Sequence, residues 1–141
     1  MTKHLRISRE TLALALVLPV IALAVVSMAC GGDSDPKATV QVSLKEYSLS
    51  PSVTQVEAGK IHFVAKNDGS AIHELAVVSV DDKGNKHELA EAEDIGAGKT
   101  KEFNAKLKPG RYELACLVAP GEAGSTVDHY QQGMHVAFTV R

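Results

Sequence analysis

The distribution of hydrophobic and polar residues divides the chain at about residue 30. Residues 11–30, TLALALVLPVIALAVVSMAC, contain no charged residue, whereas the rest of the chain alternates apolar and polar residues in short runs. Alternation with a period of two residues predicts β-strands, because successive side chains of a strand point to opposite faces of the sheet. The two parts therefore need separate interpretations.

Alternating runs recur throughout residues 39–141. They are TVQVSL, KIHFVAKN, HELAVVSV, KTKEFNAKL, RYELACLV and the final MHVAFTV, and turn signals such as DDKGNK and KPG separate them. About seven short strands in roughly 100 residues predict an all-β domain, an antiparallel β-sandwich of Greek-key type. Residues 87–98, HELAEAEDIGAG, show no clear alternation, and we expect a short helix or an irregular crossover there.

The first 29 residues have the features of a targeting segment. Lys3, Arg6 and Arg9 precede the apolar run, as basic residues do in a secretory signal. The run is also long enough to span a bilayer, so an uncleaved transmembrane anchor is the alternative. Both interpretations place the domain outside the cytoplasm and at a membrane, because the positive flank stays inside.

Cys30 indicates how the chain is held at the membrane. Small residues precede it, and the polar sequence GGDSDP follows, a pattern that resembles a bacterial lipobox. We therefore expect 1–29 to be a lipoprotein signal peptide or membrane anchor, Cys30 to carry lipid, 30–38 to be a flexible tether and 39–141 to be the folded domain.

Charge and cysteine content narrow the classes of partner. The chain has 15 basic and 17 acidic residues and no basic patch, which argues against nucleic-acid binding. Of its two cysteines, Cys116 has no disulfide partner if Cys30 carries lipid. A lone thiol in an oxidising compartment is usually buried or bound to something.

Four residues with metal-binding side chains lie at predicted strand ends. His73 opens HELAVVSV, Cys116 lies near the end of RYELACLV, His129 lies in the following loop, and Met134 begins the final strand. Taken singly, they are typical of a solvated loop histidine and of core packing. Together, two imidazoles, a thiolate and a thioether are the ligand set of a type 1 copper site, and alternation turns Cys116 and Met134 toward the core. The pattern thus predicts one bound copper ion.

The same stretches resemble a known family. From about Thr39 to Arg141, and above all in NDGSAIHEL, LKPGRYELACLV and HYQQGMHVAFTV, the sequence resembles a cupredoxin, the blue-copper family of plastocyanin and azurin. The resemblance implies that His73, Cys116, His129 and Met134 bind copper and that the protein transfers single electrons. The remaining candidates His62, His87 and His135 we expect at the surface.

Two features depart from the family pattern. Twelve residues separate Cys116 from His129, more than is usual in the family, and Glu74 follows the first histidine where many members have Asn. We expect residues 122–128, EAGSTVD, to form a mobile flap over or beside His129 that controls partner access. In the family this Asn ties the two ligand loops together. Here we expect the support of Cys116 to come from a residue other than Glu74. The apolar frame of the site is predicted to be Ile72, Leu117, Val118, Pro120 and Tyr130.

These observations predict a monomeric copper protein that carries single electrons between redox protein partners at the outer face of a membrane, where its N-terminal segment anchors it. An extracytoplasmic copper-delivery protein without redox cycling is the alternative, although the domain lacks the methionine cluster typical of such proteins. A metal-free binding domain is the third possibility. We do not expect an enzyme, because the His-x-His pairs of multi-copper clusters are absent from the sequence.

Overall fold

The structure is a computed structural model that describes residues 35–141. The chain divides into two units, residues 1–32 and 33–141, and the described residues belong to the second. The predictions for 1–29 and for Cys30 lie outside them, as does most of the predicted tether. Among residues 35–141, no helix is long and apolar enough to cross a membrane.

The described residues form nine β-strands in two sheets. The strands are β1 (Ala38–Lys45), β2 (Ser48–Pro51), β3 (Gln55–Val56), β4 (Gly59–Asn67), β5 (His73–Val80), β6 (Lys86–Ile95), β7 (Thr100–Leu107), β8 (Gly110–Ala115) and β9 (His135–Val140). One sheet has the order β2-β1-β4-β7, and the other has the order β3-β9-β8-β5-β6. This arrangement confirms the predicted all-β sandwich.

Most neighbouring strands are antiparallel, but two pairs are not. β1 runs parallel to β4, and the short β3 runs parallel to β9. Parallel strands cannot be joined by a tight turn, so the chain crosses over between the two members of each pair. Other strands lie between β1 and β4 and between β3 and β9 along the chain.

The segment that sequence left ambiguous is a strand. β6 includes most of 87–98, so the expectation of a helix or irregular crossover is wrong. It pairs with β5 as the edge of its sheet, and two register shifts interrupt the pairing. The bulges and the exposed edge explain why the alternation is hard to see in the sequence.

The core lies between the two sheets. Val40, Val42 and Leu44 of β1 and Ile61 and Phe63 of β4 are all buried, in keeping with the alternation of their strands. Phe63 stacks on Phe103 with ring centroids 5.2 Å apart, and Phe138 meets it at 5.8 Å. Burying each large apolar side chain contributes about 1.5–3 kcal/mol, so these aromatic residues contribute strongly to the stability of the core.

β5 is the strand that positions the candidate site. It lies between β6 and β8 and is buried on both faces. Leu75 and Val77 face the main core, whereas Ala76 and Val78 pack with Ala115 in a small cluster on the opposite face. By alternation His73, the first residue of β5, shares the core-facing side with Leu75.

Candidate metal centre

Three of the predicted metal-binding side chains meet at one end of the sandwich. His73 Nδ1 lies 3.3 Å from His129 Nδ1, and Cys116 Sγ lies 3.4 Å from His129 Nδ1 and 4.0 Å from His73 Nδ1. All three residues are buried, with His73 and Cys116 fully enclosed. The structure therefore brings together residues that are far apart in the sequence.

Strand pairing explains this meeting. β5 and β8 are antiparallel neighbours, with Ala76 opposite Ala115, so the start of β5 lies beside the end of β8. His73 is the first residue of one strand, and Cys116 is the residue directly after the other. Both residues therefore lie at the same end of the two strands.

The loop from β8 to β9 returns the other two residues to the same place. Cys116 N–H donates to the Met134 carbonyl at 2.9 Å, Met134 N–H donates to the His129 carbonyl at 3.1 Å, and His129 N–H donates to the Val118 carbonyl at 3.0 Å. Met134 is fully buried and belongs to the same core cluster as Cys116. These backbone hydrogen bonds thus hold Met134, the predicted axial ligand, next to Cys116 and His129.

A serine fixes the tautomer of His129. Ser125 Oγ donates its one proton to the Val127 carbonyl at 2.8 Å and lies 3.1 Å from His129 Nε2. The hydroxyl oxygen must then accept the proton of Nε2, which leaves Nδ1 of His129 unprotonated. Nδ1 is the nitrogen that faces Cys116 and His73, so its free lone pair points into the site.

His73 has a buried nitrogen without a hydrogen bond. Its Nε2 lies 3.4 Å from Glu46 Oε1, outside hydrogen-bond geometry, and has no other partner among the described residues. Burial lowers the pKa of His73, and the neighbouring His129 lowers it further. Burial also lowers the pKa of His129. Both imidazoles are therefore kept in the neutral form that metals bind.

Glu74 supports Cys116, contrary to the expectation that this support comes from elsewhere. The Glu74 N–H points to Cys116 Sγ at 3.4 Å, and Glu74 Oε1 accepts the N–H of Leu117 at 2.6 Å. The carboxylate thereby ties the start of β5 to the residue after the cysteine. Burial raises the pKa of Glu74 and of the Cys116 thiol, so the thiol is kept protonated until a cation replaces its proton.

The donor atoms fit a single copper ion. With bonds of about 2.0–2.3 Å from a first-row metal to imidazole nitrogen or thiolate, as known for zinc, donors around one ion lie roughly 3.3–4 Å apart. The observed separations of 3.3, 3.4 and 4.0 Å fall in this range. Two neutral imidazoles and a thiol with a buried thioether nearby are soft and borderline donors, a set that suits copper in both oxidation states.

Residues 122–128 are attached to the site more closely than a mobile flap would be. Glu122 N–H donates to the Ala119 carbonyl at 3.1 Å, Ser125 N–H donates to the Glu122 carbonyl at 2.7 Å, and the Ser125 hydroxyl contacts His129. The segment lies beside His129, as predicted, but one of its residues is part of the support of that histidine.

Of the predicted apolar frame, Ile72 and Pro120 are exposed, Leu117 and Tyr130 are half-buried, and Val118 is buried. Sequence reasoning missed Tyr47, which is 37% exposed and meets the His129 ring edge-on, with centroids 5.0 Å apart. It also missed Glu46 and Ser125. These three residues reach the site from loops whose path no periodicity reveals.

The other histidines lie away from the site. His135 is exposed and stacks on Tyr130, and His87 is exposed beside Asp81. His62 is half-buried on the outer face of its sheet, 3.2 Å from Glu102. Their exclusion as candidate ligands agrees with the structure, although His62 is less exposed than predicted.

A β-sandwich that encloses His73, Cys116 and His129 at one end, with Met134 beside them, has the arrangement of a type 1 copper site. Copper is the cofactor that this fold and donor set define. The chain belongs to the family of the cupredoxin-like domain, whose model matches residues 15–127. This match includes His73 and Cys116 and ends just before His129, so the assignment of the four individual ligands stays a prediction.

Solved structures share the fold. Reduced auracyanin from Roseiflexus castenholzii is 18% identical, with 77% of this chain and 99% of that chain covered and a TM-score of 0.55. Auracyanin A from Chloroflexus aurantiacus, described as a blue copper protein, is 21% identical, with 73% and 98% covered and a TM-score of 0.53. Rusticyanin from Thiobacillus ferrooxidans is 13% identical, with 76% and 79% covered and a TM-score of 0.56. Comparison with curated proteins gives no significant match.

Proposed function

We propose that this protein carries single electrons at the outer face of a membrane, with one type 1 copper ion held by His73, Cys116, His129 and Met134. The observation that carries the proposal is the convergence of two buried imidazole Nδ1 atoms and a buried thiol within 4.0 Å of one another. If both imidazoles carry their proton on Nε2, the thiol of Cys116 has one proton for two facing Nδ1 lone pairs, so a cation at this place would satisfy donors that the protein alone leaves incompletely paired.

Bound copper would supply one-electron chemistry, in which one electron would pass from a reduced partner to an oxidised one with no covalent bond formed or broken. The chain supplies a fixed geometry. Ser125 holds the ring of His129, Glu74 ties Cys116 to β5, and the core beneath Met134 excludes water. Donors that move little between the two oxidation states make electron exchange fast, since little reorganisation is required.

Burial of the donors favours a carrier over a copper-delivery protein. His73, Cys116 and Met134 are fully buried and His129 is 1% exposed. A delivery protein hands its ion to another protein and needs accessible, labile ligands. Among residues 35–141 one group of His, Cys, Asp and Glu side chains has metal-ligand spacing, which suits transfer of single electrons rather than multi-electron catalysis.

The membrane location and the redox partners are proposed from the sequence. The apolar N-terminal run with its basic flank and the SMACGG sequence around Cys30 support export and lipid attachment. An exported, tethered carrier would exchange electrons with redox proteins that reach the same membrane face.

The proposal is tested by the colour of the copper-loaded protein. Full-length protein in mild detergent, titrated with Cu(II), should develop an intense visible charge-transfer band from thiolate to copper. Cys116→Ser should abolish it, because a hydroxyl cannot supply the thiolate. Cys30→Ala replaces the other cysteine of the chain, which is not a predicted ligand, and should keep the band even if its processing changes. Absence of the band in the unmodified protein, or its survival in Cys116→Ser, would refute the copper assignment.

A further inference from the structure

The carboxylate of Glu46 is built into the site without any role in the donor set. Its Oε1 accepts the N–H of Ser70 at 2.6 Å, the Ser70 hydroxyl at 3.3 Å and the N–H of Ala71. The same oxygen lies 3.4 Å from Nε2 of His73. Glu46 lies in the turn between β1 and β2, so a residue remote in sequence has been brought against a predicted ligand.

Gly69 provides the room for this carboxylate. A Cβ atom at position 69 would lie 2.6 Å from Glu46 Oε2 and 2.7 Å from Oε1, closer than atoms can approach. The backbone of Gly69 does not have a positive φ, so strain does not require glycine here. The space that it leaves is filled by the carboxylate.

His73 needs an acceptor at this place. Its Nδ1 faces His129 and Cys116 and must be unprotonated to bind a metal, which puts the ring proton on Nε2. Nε2 is completely buried and has no hydrogen bond among the described residues. A buried N–H without an acceptor destabilises the fold, and Glu46 Oε1 is an acceptor oxygen 3.4 Å from Nε2.

We propose, on the basis of the proposed copper function, that Glu46 is a positioning residue that accepts the Nε2 proton of His73, directs Nδ1 to the ion and lowers the reduction potential. Carboxylates that accept the distal proton of a ligand histidine orient the ring and raise its basicity. A negative charge at this position also stabilises Cu(II) more than Cu(I), because Cu(II) has the larger positive charge. The N–H groups of Ala71 and Ser70 donate to the carboxylate and favour its ionised form.

Two substitutions remove this effect by different means. Glu46→Gln keeps the shape and removes the charge. Gly69→Ala keeps the charge but displaces the carboxylate with its new Cβ, an inexpensive change because the displaced atoms end a flexible side chain. In both variants the ratio of Cu(II) to Cu(I) affinity should fall about tenfold, which raises the reduction potential by about 59 mV. The visible band should remain.

Each variant has a matched control. Glu102→Gln removes a carboxylate that lies 3.2 Å from His62, a histidine outside the site. Gly96→Ala adds a methyl group whose nearest neighbour is Lys99 Cγ at 3.8 Å. The potentials of both controls should equal that of the unmodified protein, measured by spectroelectrochemical titration of the full-length chain in detergent.

A second measurement separates orientation from a purely structural role. In the diamagnetic Cu(I) form of the unmodified protein, NMR should detect a slowly exchanging proton on Nε2 of His73, and this resonance should shift in both variants. An unchanged potential in a Glu46→Gln variant that keeps its band would overturn the proposal, as would the absence of that proton. If Glu46→Gln does not fold, the reduction potential of Gly69→Ala and the Nε2 proton of His73 in the unmodified protein test the proposal instead. A missing band in the unmodified protein would instead refute the copper function, and it would be seen before any variant is made.

Discussion

The two histidines of the site face acceptors of different charge. Nε2 of His129 meets the neutral hydroxyl of Ser125, whereas Nε2 of His73 faces the carboxylate of Glu46. Imidazoles that are equivalent in the ligand set are therefore unequal in basicity. If both histidines hold copper as proposed, the two nitrogen donors would differ in strength.

Replacing Met134 tests the axial position. Met134→Leu should leave copper bound and raise the reduction potential, because the thioether is the weakest donor and its removal favours the reduced ion. Met134 is fully buried, and leucine has a similar volume. The substitution should therefore lower the free energy of unfolding by less than about 1.5 kcal/mol. Copper content and potential are measured on the same sample, and complete loss of copper would show that Met134 is needed to assemble the site.

The copper-free protein should lose stability on acidification. Burial lowers the pKa of His73 and His129 below the ordinary value of 6.5, so the unfolded chain takes up protons there that the folded chain does not. The free energy of unfolding contributed by these histidines is complete above pH 6.5 and is lost as pH falls toward their folded pKa values. Glu91 acts in the opposite direction, because burial raises its pKa to about 7 and the folded chain then holds the extra proton.

The comparison that isolates the two histidines uses a double variant. Chemical denaturation at pH 8, 6 and 5 should show a steeper loss for the unmodified copper-free protein than for His73→Asn/His129→Asn. His87→Asn removes an exposed histidine and should keep the steep loss. Equal slopes in the unmodified and double-variant proteins would contradict the prediction.

Donor type, position at predicted strand ends and the resemblance to cupredoxins together predicted that His73, Cys116 and His129 lie close to one another. His73 and Cys116 lie at the ends of neighbouring strands, and their core-facing sides follow from alternation alone. Glu46 and Ser125 could not be found in this way, because they lie in turns whose direction depends on hydrogen bonds to the loops of Ala71 and Val127. The sequence was therefore enough to predict that His73, Cys116 and His129 lie together, but not which groups orient their side chains.

At the scale of elements, the connection from β8 to β9 forms most of the site. It carries Cys116, His129 and Met134, and its inserted residues add Ser125. The connection between β5 and β6, by contrast, has no part in the site. The residues between Cys116 and His129 thus supply an acceptor for His129 Nε2.

Ser125→Ala should loosen His129 without removing copper. A bond from Nδ1 to copper would not involve the hydroxyl, but the Nε2 proton would lose its acceptor and become accessible to water. NMR of the Cu(I) form should show faster exchange of that proton. Thr126→Ala, at an exposed neighbouring position, is the control and should not change it. Unchanged exchange in Ser125→Ala would mean that the hydroxyl does not accept this proton.

β6 shows why one element escaped prediction. Its sequence HELAEAEDI is rich in Glu, Ala and Leu, which favour helices, yet β5 offers an unpaired edge that the segment completes. Tertiary pairing overrides local propensity in such an edge strand. Strands with regular alternation and a partner on each side, such as β4, were predicted from sequence because packing and propensity agree there.

At the scale of the whole molecule, the proposed membrane attachment rests on Cys30 and can be tested separately from the sandwich. Cys30→Ala should release the protein from the membrane fraction or leave an unprocessed precursor, because the predicted acyl chains could no longer be attached. Fractionation followed by mass measurement distinguishes these results. A membrane-bound product of unchanged mass would favour a transmembrane anchor over lipid.

The order of the donors along the chain affects how the molecule unfolds. Cys116 and His129 are 13 residues apart, but His73 is 43 residues from Cys116, and β6 and β7 lie between them. An ion bonded to all three would act as a cross-link that closes this long loop. A cross-link of this kind restricts the conformations of the denatured chain. A chain that kept its ion would therefore unfold to a more compact ensemble and would refold from fewer starting conformations.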